Sequence, residues 1–317
     1  MSSSQSSGMG ALEPAILERI FSALAPKKLA PHKRIVPLLR VNKHWHAIGL
    51  RRLYSAISIK GQWVSRPLRR TLEKNKALAA LVTELVMDTE LSAQDPQETL
   101  DHARVIAACP NLQHLTVLGY ASADLDKYRA AVASRSSLVA LNISEGSGMF
   151  TFSQLLELIS GLPKLEKLIM KDGLLPSEAD TSSTAGKPCS SLKMVKIIDN
   201  FDSAKRFSFP SFAALAPSIS VLPQMTSLKH LDTWSQILSP HSVKHAPASV
   251  EALTYRIFPA QLLDLSETLV DPSVLPSLRA LEVKGAIPPG KLTPMKFTPT
   301  AIQSIRTVCK RRRIRLT

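Results

Sequence analysis

The chain has 317 residues, 44% hydrophobic and 21% charged, with a formal net charge of +15. That length and apolar content argue against a wholly disordered polypeptide and leave room for a large core or a repeat array. The three cysteines, Cys109, Cys189 and Cys309, lie far apart with no CxxC pair, which argues against a disulfide framework or a cysteine zinc site and fits a reducing compartment.

The charge sits at the two ends. Residues 1–70 hold 13 Lys or Arg against Glu13 and Glu18, residues 306–317 hold six with no acid, and the stretch between has 21 basic and 23 acidic residues. A dedicated nucleic-acid binder more often spreads its positive stripe over the main fold, so nucleic acid is not the expected partner. Residues 1–10 are rich in Ser and Gly and read as a flexible lead, without the apolar run of a signal peptide. No stretch reaches the roughly 18 apolar residues that would span a bilayer. The expectation is a cytoplasmic or nuclear protein with no membrane partner.

Helical spacing begins at Leu12 and runs through Ile16, Leu17, Ile20, Phe21 and Leu24, with Pro14 in the first turn where its missing N–H costs nothing. Further helices are expected over Ile35 to Arg40 and Asn42 to Arg52, with Val41, Trp45, Ile48 and Leu53 inward, and a short strand over Tyr54 to Ile59. After residue 80 one template recurs: an apolar residue, another three later, another two after that. It occurs at Val82/Leu85/Met87, Leu112/Leu115/Val117, Leu138/Leu141/Ile143, Leu165/Leu168/Met170, Leu192/Val195/Ile197, Leu228/Leu231/Thr233, Val250/Leu253/Tyr255 and Leu278/Leu281/Val283. Residues two apart share one face of a strand. Segments suited to helix follow several of the templates, at 124–134, 152–162, 260–270 and 300–312. This predicts an α/β chain of stacked parallel strands in which no single repeat buries its own apolar edge.

The residues Leu12-Glu-Pro-Ala-Ile-Leu-Glu-Arg-Ile-Phe21, Leu39-Arg-Val-Asn-Lys-His-Trp45 and Leu53-Tyr54 resemble an F-box, with Glu13, Ala15 and Asn42 departing from the usual pattern. The openings Cys109-Pro-Asn-Leu112, Leu162-Pro-Lys-Leu165 and Cys189-Ser-Ser-Leu192 resemble those of fungal F-box proteins with leucine-rich repeats. The resemblance implies a flexible lead at 1–10, a three-helix F-box-like module at 11–59, a connecting helical segment at 60–79, and at 80–317 a leucine-rich-repeat solenoid with parallel strands on a concave face, helices outside and a basic C-terminal cap. It implies a non-catalytic substrate receptor of a Skp–cullin–F-box ubiquitin ligase. The Skp-type adaptor, and through it a cullin, would dock on Leu12, Pro14, Ile16, Leu17, Ile20, Phe21, Leu39, Val41 and Trp45. The rival class is an interaction scaffold unconnected to ubiquitin, and a third is a nucleic-acid binder that uses the two basic ends.

Enzymatic motifs are lacking. There is no phosphate-binding GxxxxGK[ST] loop and no GxSxG elbow. His241 and His245 lack the glutamate of a metal-protease helix and read as surface histidines. Cys309 lies among cations that would lower its pKa, but no base adjoins it in sequence. The expectation is a chain without catalytic residue, metal or cofactor. Its basic tail reads equally as a nuclear import peptide or as the outer face of a last repeat helix followed by a strand at Ile314 and Leu316.

Strand alternation turns a second set of side chains onto the concave face. Lys167, Lys171, Lys196, Ile198, His230, Asp232, Trp234 and Arg256 form the candidate substrate surface. An exposed Trp234 beside Arg256 would be its hot spot, and the three lysines would suit an acidic or phosphorylated protein.

Overall fold

The computed structural model describes residues 13–24, 32–60, 62–88, 96–120, 125–146, 150–151, 155, 158–171, 174–175, 190–198, 225–235, 238–285 and 296–317. The lead at 1–10, Leu12, Cys189 and the segment 199–224 lie outside them.

Three helices open the described chain: α1 (Pro14–Leu24), α2 (His32–Leu38) and α3 (Lys43–Ser55). Asn42, one of the departures from the F-box pattern, is the N-cap of α3, and its side chain accepts the Trp45 N–H at 2.9 Å. It thereby satisfies one of the donors that the first helical turn leaves open. Phe21 and Ile35 form a small core, against which Leu38, Leu39, Trp45, Ile48 and Leu53 pack. The Phe21 and Trp45 rings meet edge-on at 5.8 Å. Gly49 is buried at their junction, where a Cβ would overlap the tip of the Leu39 side chain and lie 3.2 Å from the Phe21 ring, so a larger residue would displace Leu39. Val41, expected inward, is exposed in the turn between α2 and α3.

Next come β1 (Ala56–Lys60), α4 (Gln62–Lys74), α5 (Lys76–Ala79), β2 (Glu84–Asp88), α6 (Pro96–Ala108), β3 (His114–Tyr120), α7 (Leu125–Ala133) and β4 (Ala140–Gly146). The strands that follow are β5 (Phe150–Thr151), β6 (Lys167–Lys171), β7 (Leu174–Leu175), β8 (Met194–Ile198), β9 (His230–Trp234) and β10 (Ala252–Ile257). The chain then runs through α8 (Leu262–Val270), β11 (Ala280–Gly285), α9 (Pro299–Arg312) and β12 (Arg315–Leu316). Ten strands form one parallel sheet in chain order, β1-β2-β3-β4-β6-β8-β9-β10-β11-β12, and β5 and β7 pair separately.

The template sets the register. Leu85, Leu115, Leu141, Leu168, Val195, Leu231, Leu253 and Leu281 align as one row, and the next inward row runs from Met87 to Tyr255. Every one of these is buried, and all but Thr233 join a single cluster that also takes in Val105, Ile106 and Tyr128 from the helices. Where an aromatic replaces an aliphatic, its polar tip is satisfied: the Tyr255 hydroxyl donates to the Leu238 carbonyl. The sheet begins earlier than the residue-80 boundary read from the sequence. Strand β1 pairs in register with β2, Ile57 with Leu85 and Ile59 with Met87. Tyr54, Ile57 and Ile59 therefore form one further template, and α4 packs on α6 as the first helix of the array.

Polar ladders bind successive repeats. The carbonyl just before each strand accepts two N–H groups from the next repeat, as Thr83 does from Gln113 and His114, both at 2.9 Å. The residue before the first template position adds a side-chain rung: Ser137 Oγ donates to Leu112 O at 2.8 Å, Ser191 Oγ to Leu165 O at 2.9 Å, and Ser249 Oγ to Leu228 O at 2.8 Å. Because the turns are buried against their neighbours, these carbonyls would otherwise be costly to leave unpaired. At the seam of α4 and α6, Asp101 is 2% exposed and accepts from Arg69 Nη1 at 2.7 Å and Gln97 Nε2 at 3.0 Å. His102 beside it is fully buried, and desolvation lowers its pKa to about 4 against a smaller opposing pull from Asp101.

Candidate functional site

Two surfaces carry the residues singled out in the sequence. On the three-helix module, Leu17 and Phe21 have no exposed surface. They belong to the interior, because the α1 apolar stripe must first close a core with Ile35, and neither is available to a partner in this arrangement. Leu39 and Trp45 are half-buried against that core, and Ile20 is half-buried. Pro14, Ile16 and Val41 are exposed. The structure adds Val36, which the sequence reading missed. Ile35 and Val36 are adjacent on a seven-residue helix, so with Ile35 inward Val36 turns outward. Six large apolar side chains are exposed among the described residues, and three of them, Ile16, Val36 and Val41, fall in this small module.

The second surface is the face of the sheet that, among the described residues, carries no helix. Side chains alternate as expected: His114 and Thr116 flank buried Leu115, and Lys167 and Ile169 flank buried Leu168. Strand register brings Lys196 beside Asp232, and Arg256 beside Trp234. The expected exposed tryptophan is not there. Trp234 is 3% exposed and packs against Phe258, with ring centroids 6.3 Å apart. The Leu238 N–H donates to Trp234 O at 2.9 Å. The Ile198 side chain lies outside the described residues, although its backbone pairs with Lys171.

The charges on this face form a network instead of a purely positive patch. Asp232 binds Lys196 Nζ at 2.9 Å and also pairs with the Arg256 guanidinium. One strand further, Glu282 accepts from Thr254 Oγ1 at 3.1 Å and pairs with Lys284 at 3.0 Å. The Lys284 hydrogen bond, with help from Thr254, holds the Glu282 carboxyl below its usual range. Lys167 is exposed and Lys171 half-buried on β6. Across β6 to β11 this face carries Lys167, Lys171, Lys196, Arg256 and Lys284 against Asp232 and Glu282, a net positive balance with His230 exposed beside it.

Neither described cysteine is activated. Burial pushes the Cys109 thiol up to about 12 and outweighs Arg135. Burial likewise raises Cys309 above its ordinary value and outweighs Arg312, so the lowering expected from its cationic neighbours does not prevail. His241 and His245 are exposed and line an open groove of about 460 Å³ with Glu267 and Asp271. Among the described residues no cluster of three or more His, Cys, Asp or Glu is arranged to hold a metal ion. Nor is any helix there long and apolar enough to cross a membrane.

No protein-family model matches the chain. No curated protein matches it in sequence. Among solved structures, the crystal structure of the Rad7 and Elc1 complex in yeast aligns over 79% of this chain and 76% of that chain, with 11% identity and a TM-score of 0.35.

Proposed function

We propose that this chain is a non-catalytic receptor that docks a Skp-type adaptor through its three-helix, F-box-like module and holds a protein substrate on the helix-free face of its repeat sheet. The observation that carries this reading is the module's leftover apolar surface. Ile16, Val36 and Val41 are about half exposed, so covering them with a partner would gain about half of the roughly 1.5–3 kcal/mol that burying a whole aliphatic side chain brings. The adaptor contacts are accordingly Pro14, Ile16, Val36 and Val41, with Ile20, Leu39 and Trp45 at their margin and Leu17 and Phe21 as the core beneath. Through the adaptor the receptor joins a cullin scaffold and raises the local concentration of substrate near a charged conjugating enzyme, with no covalent step of its own. The network around Asp232 keeps Lys196 and Arg256 in place for an acidic or phosphorylated segment, and Lys167 and Lys171 extend the positive side.

The test is capture of purified Skp-type adaptor by the full-length chain and by Ile16→Asp/Val41→Asp. Because both positions are exposed, the variant should melt as the parent does and lose adaptor capture at least tenfold. Equal capture by parent and variant, or no capture by the parent, favours the second reading: a ubiquitin-independent scaffold that uses the same sheet face.

A further inference from the structure

The C-terminal cap is a second charged surface, and Arg315, in register with Ala280 of β11, joins it to the edge of the open sheet face. Residues 296–317 contain seven Lys or Arg and no acid. The structure removes one of them from the surface set. Arg312 Nη1 donates to Leu269 O at 3.0 Å, and its Nη2 to Val274 O at 2.8 Å and Leu275 O at 3.0 Å, closing the carbonyl end of α8. Arg313 ends α9 in the left-handed region with φ 59. Ile314 is buried, its N–H bound to Cys309 O at 2.8 Å, and Arg315 and Leu316 pair with β11. A linear import peptide would need this segment extended and accessible, whereas here it is a helix end, a cap and a strand.

Lys296, Arg306, Lys310, Arg311, Arg313 and Arg315 remain exposed on this rigid frame. Arg306 and Lys310 are four apart, which places them on one side of α9 about 6 Å apart along its axis. Several of these cations lie at the carbonyl end of the helix, where the helix dipole offsets part of their mutual repulsion. Their exposed uncharged neighbours on α9 include Gln303 and Thr307, while the exposed apolar Leu263 and Val270 lie on α8, which packs against α9. Fixed cations, with arginine forks among them, are what a phosphodiester backbone needs.

We infer that the α9–β12 cap is a sequence-independent binding surface for the phosphate backbone of nucleic acid. The nearly neutral middle of the chain makes this an auxiliary contact confined to one end of the array.

The experiment titrates the full-length chain against a fluorescent 20-base-pair DNA duplex between 50 and 200 mM KCl. Four or so phosphate contacts predict a log–log salt slope near −4, hence a weakening on the order of 100-fold over that range. An unrelated duplex sequence should bind equally. Lys310→Glu/Arg311→Glu should lose at least tenfold in affinity at 50 mM, whereas Arg51→Glu/Arg52→Glu, the same charge change on exposed residues of α3, should stay within twofold. Lys310→Gln/Arg311→Gln, a milder change at solvent-facing positions, should show the same direction with an unchanged melt. Absence of binding at 50 mM, equal losses from the α9 and α3 reversals, or tighter binding to polyglutamate than to the duplex would each overturn the assignment.

Discussion

In the sheet, every helix-facing template residue from Leu85 to Leu281 is buried, whereas in the three-helix module Ile16, Val36 and Val41 stay 43%, 43% and 57% exposed. Both regions are rich in aliphatic side chains, so composition does not explain the contrast. Architecture does. A strand inside the array is covered by a strand on each side and by a layer of helices, and each added repeat extends one continuous core. The module is about 40 residues long and, among the described residues, closes a small core on Phe21 and Ile35, with Leu17 also buried. A body that small has too much surface for its volume to hide all of its apolar groups. Its exposed residues are therefore where a partner would contribute most, while the array is self-sufficient and free to vary its helix-free face.

The sharpest way to break the contrast is to attack the array where it is polar. Asp101 is buried between α4 and α6 and pairs with Arg69, whose side chain is only 14% exposed. Asp101→Ala leaves that guanidinium without its closest anion and is expected to cost about 3–5 kcal/mol. Denaturant unfolding should register the loss over the whole sheet, because α4 and α6 back the β1–β3 end of the array. If instead only the module's amides exchanged faster and the sheet midpoint stayed put, the seam would belong to the module and the division drawn here would be misplaced.

A gentler probe is acid. His102 has a folded-state pKa near 4 against 6.5 for the free side chain, so the folded array holds it neutral. Above pH 6.5 both states are neutral at this site and stability is unaffected. As pH falls from 6.5 towards 4, the unfolded chain takes up a proton that the folded chain refuses. Stability then drops progressively, by on the order of 3 kcal/mol, and the loss levels off below the folded pKa. His102→Gln should flatten the slope between pH 6.5 and 4 in a thermal or urea titration. A slope identical in parent and variant would place the proton uptake elsewhere.

The template positions were legible in the sequence because burial repeats: one buried pair every 22–36 residues leaves a period no other feature imitates. The first repeat was missed because Tyr54, Ile57 and Ile59 also lie at the end of the F-box resemblance, and one segment serves both the module and β1. The sites were less legible. Exposure depends on what packs opposite, which a strand's own alternation does not encode; Trp234 occupies an outward position of β9, yet it is buried with Phe258 packed against it. Lys196 and Arg256 read as free cations until register placed Asp232 between their strands. On α1, helical spacing located the apolar stripe correctly but could not divide it between Phe21, which closes the module, and Ile16, which remains outside. Arg312 looked like one cation among several and instead closes the end of α8.

The smallest expected effect lies inside the module and tests whether it is an independently tunable unit. Asn42 stands where the F-box pattern often has cysteine, and its carbonyl oxygen accepts the Trp45 N–H at the start of α3. Removing an N-cap of this kind typically costs about 1 kcal/mol. Asn42→Ala should therefore loosen α3 at its first turn, and Trp45, whose ring sits edge-on to Phe21, should report it as a fluorescence change at lower denaturant than the sheet transition. Asn42→Ser, which retains a capping oxygen, should restore most of the loss. Because the array has its own core and its own ladders, its amide protection should be unaltered in both variants. A shift of the sheet transition equal to the shift seen by Trp45 would mean that module and array unfold as one body, and a partner bound at the module would then stabilise the array as well.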